Sequence, residues 1–162
     1  MHPTIPEGSL IIVSKRGYGR YGAFGFTPLR TKSTGPIARG DIVAFYPPQD
    51  SDVVHISRVM GEPGDRIALQ GRRLSINGVE AAVELQGSDD RYHYVTETID
   101  GHSARLALMP DRYTRDIDIA VPPDHFYVLS DNRDNARDSR YIGFIPRENV
   151  VGVHLRTLTS TP

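Results

Sequence analysis

The chain has 162 residues, enough for one compact unit that buries about two thirds of its unfolded surface and too few for a second full domain. Its 19 Lys and Arg stand against 20 Asp and Glu, a formal net charge of -1, so no long-range field draws it to nucleic acid or to an anionic membrane. It has no Cys, which excludes disulfides and thiolate metal sites, and its six His follow no metal-ligand spacing. Neither a metal nor a cofactor is expected.

Residues 1 to 8 hold Pro3, Pro6 and Gly8, which argues for an extended, helix-free entry. Leu10 to Lys15 is a short strand candidate, and its Leu10-Ile11-Ile12-Val13 is the longest purely aliphatic stretch. That is far below the roughly 18 residues of a membrane span. The chain as written is expected to be soluble and to carry no signal peptide of its own. From Gly17 to Phe26, Gly alternates with aromatic residues. Such rings can stack on bases, but without basic surroundings a flexible surface loop, its rings packed on a sheet, is the expectation. Thr31 to Ala38 is a Ser/Thr/Gly/Pro loop.

Asp41 to Tyr46 and Val53 to Val59 are β-branched and aromatic runs bounded by Gly and Pro, the pattern of buried strands. Glu62-Pro63-Gly64-Asp65 closes the second with turn chemistry. Arg66 to Leu69, Arg73 to Ile76 and, after the Asn77-Gly78 hairpin signal, Val79 to Val83 follow. Residues 84 to 122 are polar with weak alternation and are expected to form an inserted β-hairpin or flap. Val121 to Leu129 and Asn149 to Leu158 complete the strands. No helical period extends beyond a turn, so the fold class is all-β: antiparallel sheets with hairpins and a flap, little helix, one domain over 1–162.

The densest chemistry lies in Ser130 to Pro146, SDNRDNARDSRYIGFIP. Asp131, Asp134 and Asp138 are interleaved with Asn132, Arg133, Arg137 and Arg140. Asx side chains that brace their own turns, neutralised by Arg, would account for some of this. The segment also resembles the last signature box of the bacterial type I signal peptidases, Ser/Lys serine endopeptidases that remove signal peptides. Three more segments resemble boxes of that family in the same order: Met1-His2-Pro3-Thr4, Arg39-Gly40-Asp41-Ile42-Val43, and Arg58-Val59-Met60-Gly61-Glu62-Pro63-Gly64-Asp65. The boxes cover the first fifteen residues, roughly 39 to 67 and roughly 122 to 152.

The resemblance implies a hydroxyl nucleophile and a lysine kept neutral by burial and a hydrogen-bonding neighbour. The family's nucleophilic Ser immediately precedes the residue matched by Met1, so it falls outside this chain. The position of its lysine is Ser57. A Ser that steadies the lysine amine is replaced by Ala136, and the Gly before the box is Ser130. A truncated gene model would explain the missing Ser and membrane anchor but not Ser57 or Ala136. Loss of such a group from another serine protease lowers turnover about a millionfold, roughly 8 kcal/mol of transition-state stabilisation.

His55 is the candidate substitute base, because alternation puts it on the same face of a strand as Ser57 and eukaryotic relatives use His in place of Lys. A structural His is the plain alternative. Ser9 offers another hydroxyl, most simply a surface one. Met1, Ile5 and Ile56 map to the walls of a groove in which an extended peptide would lie as an added strand; they read equally well as core packing. Arg58 with Asp131, and Asp138 with Arg140, map to ion pairs that brace the site, with Arg133 in the same brace.

The expected function is that of a signal peptidase I family protein, acting on signal peptides of exported preproteins but impaired as written. The alternative is a non-catalytic module that binds signal-peptide-like segments. The family resides in the bacterial cytoplasmic membrane with its catalytic domain outside the cytoplasm; the expected contact with membrane is only through an anchor that this sequence lacks.

Overall fold

Short runs of β-branched and aromatic residues, cut by Gly, Pro and Asx-Gly pairs, give fifteen strands in the computed structural model, which describes residues 1–23, 26–30, 32–49, 52–112 and 114–158. Six strands make the main antiparallel sheet: β1 (Leu10–Ser14), β4 (Ile42–Phe45), β5 (His55–Gly61), β13 (His125–Leu129), β14 (Ile145–Pro146) and β15 (Val150–Leu158), in the order β1-β15-β4-β5-β13-β14. β6 (Arg66–Gln70), β7 (Arg73–Ile76), β8 (Val79–Glu80) and β12 (Ile117–Ala120) form a second sheet in the order β12-β6-β7-β8. A third, β11-β10-β9, comprises β9 (Ala82–Ser88), β10 (His93–Ile99) and β11 (His102–Leu108). Among the described residues helix is confined to one turn, α1 (Ser139–Ile142), and a 3-10 turn at Arg147–Asn149.

The middle of the main sheet, at β4 and β13, is buried on both faces. Along β13, Phe126 and Val128 face a core cluster with Val43, Phe45, Val59, Ile145 and Val150, whereas Tyr127 and Leu129 face a second cluster with Ile67, Leu69, Leu74 and Ile76. These four β13 side chains, Phe126 to Leu129, are at most 1% exposed, so from Phe126 on the strand reads as a continuous apolar run rather than an alternating one. Gly61 permits the second sheet to close down. A Cβ there would lie 2.9 Å from both Ile67 and Val121 and 3.0 Å from Tyr127.

Two tight hairpins rest on left-handed turn residues, Asn77-Gly78 (φ 52° and 82°) between β7 and β8 and Asp100-Gly101 (φ 50° and 76°) between β10 and β11. Both match the preference of two-residue hairpin loops for Asx-Gly.

The structure differs from the sequence expectations in several places. The strand expected over Val79–Val83 is split between β8 and β9, which lie in different sheets, and β13 begins at His125 rather than at Val121. The Gly/aromatic segment expected as a loop instead carries a two-stranded hairpin, β2 (Arg20–Ala23) with β3 (Phe26–Arg30). Tyr18, at its start, is 2% exposed and donates its hydroxyl to the carbonyl of Pro36 at 2.5 Å; the expected packing of the Tyr21, Phe24 and Phe26 rings lies outside the described side chains. The expected flap over 84–122 is a narrower sheet over Ala82–Leu108, because Ile117–Ala120 pair with Arg66–Leu69 of β6. Val53 and Val54 precede β5 rather than belonging to it.

Candidate functional site

The box from Ser130 to Arg140 is a turn-rich segment pinned at both ends. Asp138 caps α1 through the backbone N–H of Arg140 at 3.3 Å and accepts the N–H of Ser130 at 3.0 Å. Ser139 Oγ accepts the N–H of Val128 at 3.0 Å. In this way the box folds back against the strand that leads into it. Arg140 donates to both oxygens of Asp138 at 2.8 Å and to the carbonyl of Arg133. Burial works against the Arg140 charge, but the hydrogen bond and the charge of Asp138 prevail and raise its pKa.

Arg58 grips Asp131 with two donors, Nε at 2.9 Å and Nη2 at 2.7 Å, and reaches the carbonyl of Gly40 at 2.8 Å. Asp131 is 1% exposed and also accepts the hydroxyl of Thr4. One buried carboxylate thus ties the entry segment, β5 and the box together. Removing either member of such a buried pair typically costs about 3–5 kcal/mol.

Arg133 does not join these pairs through its guanidinium. It reaches across to Glu97 on β10, with Nη1 at 3.1 Å from Oε2 and Nη2 on Oε1. Both side chains are buried. Ala107 and Asn132 form a parallel bridge beside this pair, so the three-stranded sheet is fastened to the box by backbone and by charge.

Ser57 is 1% exposed and lies opposite Val43 on β4. Its hydroxyl pairs with Ser130 Oγ at 3.1 Å. Where the family resemblance puts a lysine amine and its surroundings, the protein has two small alcohols joined to each other. The His55 ring packs instead against Phe45, with centroids 5.9 Å apart.

A groove of about 520 Å³ opens beside this cluster. Met1, Ile5 and Ile56 line it, together with Ser9, Ile11 and Asn132. Ile56 and Ser57 are neighbours on β5 and project to opposite faces. Ser57 is consequently turned away from the groove. Asn132 Nδ2 donates to Tyr92 Oη at 3.2 Å, and Asn132 Oδ1 is buried without a partner among the described residues.

Sequence reasoning missed Glu97 and Thr4. The signal for Thr4 was available in the first box, but nothing local in β10 marks Glu97, since its partner is 36 positions away. Among the described residues no cluster of His, Asp and Glu could hold a metal ion.

The whole framework has recognisable relatives. A family model described as signal peptidase, peptidase S26, matches residues 1–158. The chain belongs to the signal peptidase I family. It is 32% identical to a signal peptidase I of Pseudomonas fluorescens over all of its own length and 62% of the relative's. It is 34% identical to a signal peptidase I of Rickettsia typhi, over 94% of this chain and 66% of that one. The chain therefore spans less than two thirds of the length of these relatives. A crystal structure of a signal peptidase I from Enterococcus faecalis V583 is similar with a TM-score of 0.52 at 28% identity, covering 74% of this chain and 97% of that chain. The all-β architecture is that of the signal peptidase family, and no helix among the described residues is long and apolar enough to cross a membrane.

Proposed function

We propose that this signal peptidase family member binds extended, signal-peptide-like segments of exported preproteins in the groove walled by Met1, Ile5 and Ile56, and cuts them at best very slowly. The observation that carries this reading is the buried Ser57–Ser130 hydroxyl pair. A hydroxyl near its ordinary acidity takes up no proton at neutral pH, so neither alcohol replaces an amine that must act as general base. An open groove lies next to it. It lies between the entry segment with β1 and the start of β5, where an extended peptide can add alongside strands and place small side chains between Ile5 and Ile56. The setting that suits such binding is the extracytoplasmic side of the bacterial cytoplasmic membrane, where preproteins emerge.

The test pairs a binding with a cleavage measurement. A labelled synthetic peptide that spans a signal-peptide cleavage site is expected to bind, and Ile5→Glu or Ile56→Glu to weaken it by about tenfold or more, a loss of at least 1.4 kcal/mol. A preprotein incubated with the chain is expected to stay whole. Efficient cutting would overturn the proposal, and cutting that disappears in His55→Ala would assign the base to His55. Absence of peptide binding would overturn the groove assignment.

A further inference from the structure

We propose that the free edge of β9 docks a second copy of this chain, joined antiparallel about a two-fold axis through Val83. β9 is the outer strand of the three-stranded sheet, and all seven of its residues are exposed. Soluble proteins usually guard such an edge with Lys, Pro or a covering element. Ala82 to Ser88 contains neither Lys nor Pro, and Glu84 is its one charge.

The side-chain rows show what the edge lacks. Leu106 opposes Val95, and Val95 opposes Leu85, so one apolar row crosses all three strands. Leu106 is 2% exposed and Val95 5%, yet Leu85 is 68% exposed. The neighbouring row, Ala104, Glu97 and Val83, also ends in an open side chain, with Val83 51% exposed. The face that packs inward thus runs out to the edge and stops uncovered.

Register chooses the axis. Opposed residues in a continuous sheet must point to the same face, so a two-fold axis has to pass through a residue rather than between two. An axis at Glu84 sets two carboxylates opposite each other, and an axis at Ala82 sets Glu84 opposite Glu80; both are destabilising. An axis at Leu85 or any later residue of β9 requires the ladder to run through the irregularity that leaves Gln86 without an opposite number on β10. Val83 remains. It faces Val83 of the second copy, Glu84 faces Ala82, and the two Leu85 side chains lie diagonally beside the valines, closing one apolar stripe across the junction. A net charge of -1 per copy offers little repulsion. A single strand edge covers less than the roughly 1,200–2,000 Å² of a stable interface, so the dimer is weak and forms reversibly.

Sedimentation equilibrium of the full chain over a concentration series tests this. The average mass is expected to rise from monomer toward dimer with concentration. Val83→Lys with Leu85→Lys is expected to remain monomeric at every concentration, with its thermal midpoint unchanged. The protein has no Cys, so Val83→Cys supplies one thiol that the axis sets against its copy. On oxidation it is expected to form a disulfide-linked dimer well ahead of Val53→Cys, a comparably exposed site at 53%. A wild-type chain that stays monomeric, a Lys variant that still dimerises, or equal cross-linking at 83 and 53 would each overturn the proposal.

Discussion

Ser57 and Ser130 form a closed unit of two hydroxyls in a site with almost no water access. Replacing one by Ala leaves the other buried and unpaired, and the expected loss is about 1–3 kcal/mol for each single variant. The double Ala variant should fall well short of the sum, since it leaves no orphan. Urea denaturation of the four proteins measures that coupling. The sequence marked both positions as departures from the family pattern, but their contact depends on how β13 and β5 are registered, and no local signal gives that.

Tyr127 carries a second residue-scale consequence. Its ring is fully buried and its hydroxyl has no hydrogen-bond partner among the described residues. Burial first, and then the negative charge of Asp138, push its pKa well above the ordinary tyrosine value. The folded state therefore holds this proton more tightly than the unfolded state does. The associated stability is complete below about pH 10, the ordinary tyrosine value, and is lost as pH rises through the folded value. An alkaline titration followed by tyrosinate absorbance should show tyrosine that ionises only as the fold opens, and Tyr127→Phe should reduce that share and shift alkaline unfolding to higher pH.

Among the elements, the three-stranded sheet is tied to the box by a buried charge pair as well as by backbone. Arg133 and Glu97 are both buried, so Arg133→Met or Glu97→Leu alone strands a charge and should cost about 3–5 kcal/mol, whereas the double variant should be close to neutral. Hydrogen exchange should show β10 and β11 losing protection in the single variants before β13 does.

Most strands were legible at this scale because their cause is local. β4, β5 and β13 are runs of β-branched and aromatic residues, and Asn77-Gly78 sets its own turn. The β2–β3 hairpin was not legible, because Gly and Tyr in alternation serve a loop or a strand equally well. The flap boundary was missed for a related reason: Ile117 and Ile119 alternate weakly, and only pairing with β6 fixes their sheet.

For the molecule as a whole, the box motifs disclosed the framework, since that depends on residue type at fixed spacing, and Met1, Ile5 and Ile56, which they single out, line one pocket. They did not disclose that Ile56 and Ser57 would part to opposite sides of one strand, leaving the groove open and the hydroxyl pair sealed. Peptide affinity and peptide cutting should accordingly separate in this protein: groove substitutions at Ile5 and Ile56 are expected to change the first, and Ser57→Ala is expected to leave it unchanged, as titration of a labelled peptide into each variant would show.

The bond from Thr4 to Asp131 joins positions 127 apart, and the pair of Arg58 with Asp131 joins positions 73 apart. No short stretch of chain can assemble that junction by itself. Large loops must close before the carboxylate gains any of its partners, and loops of that size are won slowly. Refolding from denaturant should therefore take milliseconds to seconds, in the range of other β proteins rich in distant pairings. Through that interval the strands wait with open flanks, and a cell that makes this chain quickly would find it prone to clump before it is whole.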